Sequence, residues 1–138
     1  MVKKFEYVEH TADIGIRAFG GDLAELFENA AFGMADIISE PEKVAGKQAY
    51  SVEVEANDLE ELLVNWLNEL LYRFNVDRII PASSKVELIE NNRLKGTVYG
   101  EKYDPGKHTL KLEIKSTTYH MLKVEKKDFW EAVIIFDV

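Results

Sequence analysis

Two short stretches near opposite ends of the 138-residue sequence concentrate groups that bind cations or move protons. Near the start, Glu9-His10-Thr11-Ala12-Asp13 precedes an alternating run in which Ile14, Ile16 and Ala18 share one face. At the other end, Ala132 to Phe136 is continuously apolar, Asp137 ends the run, and Val138 is the last residue, expected to carry the α-carboxylate. Two negative groups side by side at the edge of an apolar core repel one another and cost desolvation energy, which a cation would offset. Asp13 stands at the same kind of junction, between a loop and an apolar strand. If the two ends meet, Asp13, Asp137 and Val138 would give an oxygen-only site suited to Ca²⁺, Mg²⁺ or Mn²⁺. Spacing alone does not bring the ends together, and a solvated C-terminus is the competing reading. His10 would join or support such a site, or act as an ordinary structural hydrogen-bonding group.

A third stretch, Lys115-Ser116-Thr117-Thr118-Tyr119-His120, follows an alternating segment and is rich in donors. Lys115, Tyr119 and His120 have the chemistry to bind phosphate or orient carboxylates. A strand end with a Thr-rich turn would use the same residues. No Gly-rich phosphate loop, G-x-S-x-G elbow or H-E-x-x-H pair is present. The sequence therefore carries no familiar catalytic motif.

The elements that must position these groups follow from the hydrophobic pattern. Val2 to Val8 and Ile14 to Gly20 read as strands, broken by Gly20-Gly21. Asp22, with Glu25 three residues on, opens a helix whose stripe runs Leu23, Leu26, Phe27, Ala30, Ala31, Met34, Ile37 and Ile38. Gln48 to Ala56 alternates as a half-exposed strand. Asn57 or Asp58 then caps a second helix with a Leu59, Leu62, Leu63, Trp66, Leu67, Leu70, Leu71 and Phe74 stripe, which is core packing. Further strands are expected at Asp77 to Ile80, Lys85 to Glu90, Arg93 to Tyr103, Thr109 to Ser116, Leu122 to Glu125 and Glu131 to Asp137. Glu90-Asn91-Asn92-Arg93 and Asp104-Pro105-Gly106-Lys107 have hairpin-turn chemistry. The expected fold class is α+β: two amphipathic helices on a mostly antiparallel sheet, residues 1–138 forming one domain, with the last strand central.

Composition narrows the function. The net charge is −8, with 25 acidic against 17 basic residues and no cysteine. Affinity for nucleic acid rests on basic groups that neutralise phosphates, so tight direct binding to bulk RNA or DNA is not expected. An acidic surface suits cations or basic protein partners. Disulfides and thiolate metal sites are excluded. With no signal-peptide pattern and no apolar run of membrane-spanning length, a cytoplasmic protein without membrane partners is expected.

Taken in order, "EHTADIGI", "ELFENAAFGM", "KSTTYH" and the closing "AVIIFDV" resemble the archease signature over essentially the whole chain. The resemblance implies a small α+β accessory protein, not itself an enzyme. Its partner would be the tRNA-splicing RNA ligase that joins 2′,3′-cyclic-phosphate or 3′-phosphate ends to 5′-hydroxyl ends. It would help the ligase become guanylylated, with GTP used by the ligase and not bound by this chain alone, and so turn over many times. RNA would be met only through the ligase. By motif, Asp13 and Asp137 match the family's metal-binding aspartates and Val138 would add its terminal carboxylate. Glu9 and His10 would support the first aspartate, and Lys115, Tyr119 and His120 match the third motif. Two alternatives remain: a chaperone or modulator of an RNA-modifying enzyme such as a methyltransferase, and a metal-dependent phosphate-ester hydrolase using Lys115 or His120 as acid or base.

Overall fold

Capping chemistry sets both helices where the sequence places them. In a computed structural model, residues 3–8 and 13–138 are described. Helix α1 (Leu23–Ile38) starts at Asp22, whose carboxylate accepts the Glu25 N–H at 2.8 Å. Helix α2 (Leu59–Asp77) starts at Asp58, whose carboxylate accepts the Glu61 N–H at 2.8 Å. In each case the third helical residue reaches back: Glu25 accepts from Gly21 N–H and Glu61 from Asn57 N–H. These bonds satisfy amides that the helix itself leaves without partners.

The strands form two antiparallel sheets. The first holds β1 (Phe5–Val8), β2 (Ile14–Gly20), β8 (Trp130–Asp137) and β6 (Ser116–Thr117) in the order β1-β2-β8-β6, with β7 (Lys123–Lys126) also paired to β8. The second holds β3 (Gln48–Glu55), β4 (Ile79–Glu90) and β5 (Arg93–Lys102) in the order β3-β5-β4. Residues from both sheets and both helices share one core, in which Trp66, Phe27, Met34, Leu67, Ile134 and Phe136 are fully buried. The Trp66 indole N–H donates to the Phe27 carbonyl at 3.0 Å, so the largest buried side chain also ties α2 to α1. No helix among the described residues is long and apolar enough to cross a membrane.

Several expectations need correction. The segment Asp77 to Ile80 is not a separate strand: α2 runs through Asp77, and Arg78 ends it in the left-handed conformation at φ 60°. The two strands expected between Asp77 and Glu90 are one, β4, which passes Pro81 with register shifts at Pro81/Ser83 and Val86/Leu88. At the second shift, Glu28 of α1 accepts the Val86 N–H at 2.8 Å, so a helix side chain closes this sheet edge. The segment Thr109 to Ser116 alternates but joins no sheet before Ser116; its Lys111 N–H bonds instead to the Ile38 carbonyl at the end of α1. The Asp104–Lys107 turn forms without a hairpin. It is held by His108, which accepts the Asp104 N–H at Nδ1 (3.0 Å) and contacts Glu101 through Nε2 (2.9 Å). That pattern puts the ring proton on Nε2.

Candidate metal centre at the β2–β8 ladder end

The pairing of β2 with β8 decides whether the ends of the chain meet. Its register runs without interruption from Gly20 opposite Trp130 to Ile14 opposite Phe136. Extended by one residue on each strand, it would set Asp13, a bend residue just before β2, across from Asp137. Directly opposed residues of an antiparallel pair lie about 4.5–5.5 Å apart at Cα and present their side chains to the same face. Alternation sends Ile14, Ile16 and Ala18 with their partners Phe136, Ile134 and Ala132 into the core. On that extension Asp13 and Asp137 would share the outer face, and both are half-buried.

Apolar packing adjoins this end of the ladder. One rung inward on the same face stand Gly15 and Ile135. A Cβ on Gly15 would come 2.6 Å from Ile135 Cδ1, so the glycine is what lets the isoleucine lie across the ladder. Ile135 is fully buried. The acidic pair thus borders apolar packing on one side. Like charges directly opposite one another destabilise a sheet, and poor solvation strengthens the repulsion.

Strand β6 fixes the far side of β8. Ser116 pairs with Asp137 and Thr117 with Phe136. The Lys115 N–H donates to the Asp137 carbonyl at 2.7 Å, and Thr118 donates twice to the Ile135 carbonyl, from N–H at 3.0 Å and from Oγ1 at 2.9 Å. Asn68 of α2 accepts the Thr117 N–H at 3.1 Å and so ties this two-residue strand to the helix. Nothing in the sequence singles out Asn68, which reads there as a polar position on the solvated side of α2. Thr117 is buried with its Oγ1 lacking a hydrogen-bond partner, but pairing with Phe136 sends its side chain to the core face, away from the aspartates.

Of the sequence-predicted residues, the ladder brings Asp13, Asp137, Val138 and Lys115 to one sheet end. Tyr119 and His120 lie in an exposed turn beyond β6. Glu9 and His10 fall outside the described residues. Among the described residues, no three His, Cys, Asp or Glu side chains gather to hold a metal ion. The pair of side-chain carboxylates would need a third oxygen donor, which a terminal carboxylate on Val138 would supply. An all-oxygen set of this kind fits a hard divalent cation better than a thiophilic or imidazole-preferring one.

A two-sheet α+β protein with an acidic pair joining its first long strand to its last defines a recognisable class of small domain. A family model described as the archease protein family (MTH1598/TM1083) matches residues 5–138, and the chain belongs to that family. Protein archease of Methanosarcina acetivorans is 45% identical over 141 residues, covering 99% of this chain and 97% of the relative. Protein archease of Pyrococcus furiosus is 39% identical, covering 99% and 100%. The solution structure of Methanobacterium thermoautotrophicum protein 1598 superposes with a TM-score of 0.81 at 33% identity, over 99% of this chain and 100% of that one. The crystal structure of a Thermotoga maritima protein described as an archease, possible chaperone, has a TM-score of 0.65 at 24% identity, covering 95% and 94%, and shares the fold.

Proposed function

We propose that this protein is an accessory factor for an RNA ligase of the tRNA-splicing type, which seals 2′,3′-cyclic-phosphate or 3′-phosphate ends to 5′-hydroxyl ends. It would promote ligase guanylylation and multiple turnover through a divalent-cation site at Asp13, Asp137 and the Val138 carboxylate. Family membership supports the accessory role. The observation that supports the site is the β2–β8 pairing of Ile14 with Phe136, which brings the start of β2 and the end of β8 to the same sheet end. Asp13 and Asp137 would ligate the ion, and β6 would hold the Asp137 main chain through the Lys115 N–H. A bound cation would supply charge neutralisation for the polyphosphate of the nucleotide that the ligase uses. The net charge of −8 fits a division of labour in which the ligase, not this chain, holds the RNA.

The test is multiple-turnover RNA ligation by the ligase with wild-type protein, Asp13→Ala or Asp137→Ala added at sub-stoichiometric to equimolar levels. Loss of stimulation with both variants is expected. Undiminished turnover with either would overturn the reading. The chaperone reading, which takes its support from the Thermotoga relative's description, predicts stimulation independent of divalent ion at this site. A hydrolase reading requires activity of this chain alone on phosphate esters.

A further inference from the structure

Strand β3 bounds one side of the second sheet, and no strand among the described residues pairs with its outer edge. The phase of its ladder shows which main-chain groups that edge presents. The Ala56 N–H donates to the Asn92 carbonyl at 3.0 Å, one step past the Glu55–Arg93 pair of the β3–β5 register. Hydrogen-bonded positions alternate along an antiparallel strand, so Val54, Val52, Tyr50 and Gln48 turn their main-chain groups to β5, whereas Glu55, Glu53, Ser51 and Ala49 turn theirs outward. Asn65 of α2 agrees with that phase: its side-chain amide donates to the outward Glu55 carbonyl at 3.1 Å. Ala49, Ser51 and Glu53 are exposed, and no neighbour among the described residues takes their outward groups. Native sheets blunt such edges with proline, bulges or covering groups. On β4 the Glu28 carboxylate accepts the Val86 N–H, but β3 has neither a proline nor a bulge in its pairing with β5.

Helix α2 adds an apolar rim to this edge. Asn65 reaches the Glu55 carbonyl and the Arg73 guanidinium lies 4.1 Å over the Tyr50 ring, so the side of α2 that carries them faces β3. Tyr72 and Val76 follow Asn65 by seven and eleven residues, which at 3.6 residues per turn sets both within roughly 20° of it about the helix axis. They are 57% and 59% exposed, two large apolar side chains left in solvent beside an unpaired strand.

We propose that β3 pairs with β3 of a second copy of this chain, antiparallel about a two-fold axis at Ser51, so that the two second sheets join into one. The strand is complementary to itself in this register. Ser51 faces its own copy and Ala49 faces Glu53 of the second copy, so outward N–H groups meet outward carbonyls at each position. Lys47, one residue before β3, then stands opposite Glu55 of the second copy, an opposite-charge cross-strand pair that the axis repeats. Glu55 is free to take it, since its own contact with Arg93 is 3.8 Å long between exposed side chains. Centring the axis on Val52 instead would set Ala49 against the Glu55 carbonyl that Asn65 already holds, and would lose the Lys47 pairing. The faces match as well: Tyr50 of one copy adjoins Val52 of the other, both buried on the helix side. Because Arg73 lies over Tyr50, the adjacent Tyr72 comes near the axis and meets its own copy, which covers exposed aromatic surface. A strand of unrelated sequence would gain the main-chain bonds alone; the Lys47–Glu55 match and the Tyr72 contact select this chain. The interface uses neither β2 nor β8 and does not depend on the accessory-factor reading.

The experiment is analytical ultracentrifugation of the full chain over a concentration series reaching about 1 mM, where even weak pairing populates a dimer. The proteins compared are wild type, Ser51→Pro, Lys47→Glu, Glu55→Lys and the double swap Lys47→Glu/Glu55→Lys. Ser51→Pro deletes an amide that points outward, so it leaves the β3–β5 ladder intact and should abolish the dimer while circular dichroism stays that of wild type. Each single charge reversal should weaken dimerisation roughly tenfold, because the axis repeats the pair, and the double swap should recover it to within about threefold of wild type. Should Ser51→Pro fail to fold, the charge swap decides. Amide exchange followed by NMR adds a residue-level reading: Ala49, Ser51 and Glu53 should exchange fast in dilute protein and slow as concentration rises, with Val52 and Val54 protected throughout. Wild-type protein that stays monomeric over the whole series overturns the proposal. So does a dimer or larger species that both single reversals leave unchanged. Protection of the outward amides by added RNA ligase, without self-association, would give the edge to a different strand and overturn the second-copy assignment.

Discussion

Replacing Asp137 by asparagine should have opposite effects on stability with and without divalent cation. Continued one residue past Ile14 and Phe136, the β2–β8 register would set Asp13 across from Asp137, and the working figure for their separation is the roughly 5.5 Å Cα spacing of an opposed pair. Two unit charges at that distance repel by about 0.8 kcal/mol in bulk water and about 3 kcal/mol at an effective dielectric near 20. Both side chains are half-buried beside the apolar Gly15–Ile135 rung, so a value of about 1 kcal/mol is a conservative choice. Asparagine is isosteric, so little besides the charge is removed. In chelator, Asp137→Asn should therefore melt roughly 3–5 °C above wild type. With cation at about 100 times its dissociation constant, wild type gains about 2.7 kcal/mol from linkage. The variant, with one charged ligand fewer, gains much less, so the order of stability inverts. Thermal melts followed by circular dichroism in EDTA and then in Mg²⁺, Mn²⁺ or Ca²⁺ read this directly. An Asp137→Asn protein less stable than wild type in EDTA, or equally stabilised by cation, would refute the reasoning.

Three other outcomes follow from the same geometry. The proposed ligand set takes a terminal carboxylate on Val138, which a C-terminal tag would turn into an amide, so such a tag should weaken cation affinity well beyond the effect of an N-terminal tag; equal affinities by calorimetry would remove Val138 from the ligand set. Trp66→Phe leaves the Phe27 carbonyl without its indole donor and opens space in the buried helix interface, at a cost of about 2 kcal/mol, seen as a lower urea midpoint at unchanged slope. Bonds from Lys107, His108 and the Ala45 N–H hold the Glu101 carboxyl at about 2 against an ordinary 4.5. That stabilisation is complete above about pH 4.5 and is lost as pH falls towards 2, so in urea titrations Glu101→Gln should lose less stability than wild type across that window.

Both helices were legible because their signals are local. The Asp22/Glu25 and Asp58/Glu61 caps lie within four residues of each other, and the apolar stripes repeat at the helical period. The end of α2 was not, because an arginine takes the left-handed stop usually given to glycine: Arg78 lies over the Phe74 ring at 4.4 Å. Alternation in Thr109 to Ser116 reported neither pairing nor a continuous buried face, since Ile114 is buried outside any ladder while Leu112 is exposed. The division into two sheets was equally hidden, because pairing partners are chosen by tertiary contacts far apart in sequence. Within the candidate site, residue types pointed to Asp13 and Asp137, but that β2 and β8 lie side by side was not legible in the sequence. Asn68 gave no sequence sign at all, for its role lies in a main-chain bond.

The position of the acidic pair has a consequence for when it can form. Asp13 and Asp137 are separated by nearly the full length of the chain, and their meeting depends on β2 and β8 lying side by side with β6 closed against β8. Loop closure of that span is entropically costly and is offset only by the core contacts of Ile16, Ile134 and Phe136 with the two helices. No partly folded chain lacking the β2–β8 ladder can present the pair. Cation binding at this point would therefore draw its free energy from the completed first sheet, and any cation that binds there would add to the stability of that sheet in turn. An accessory factor built this way would offer its metal site to a partner only when correctly folded. That ties the chemistry at the ladder end to the integrity of the core and needs no separate switch.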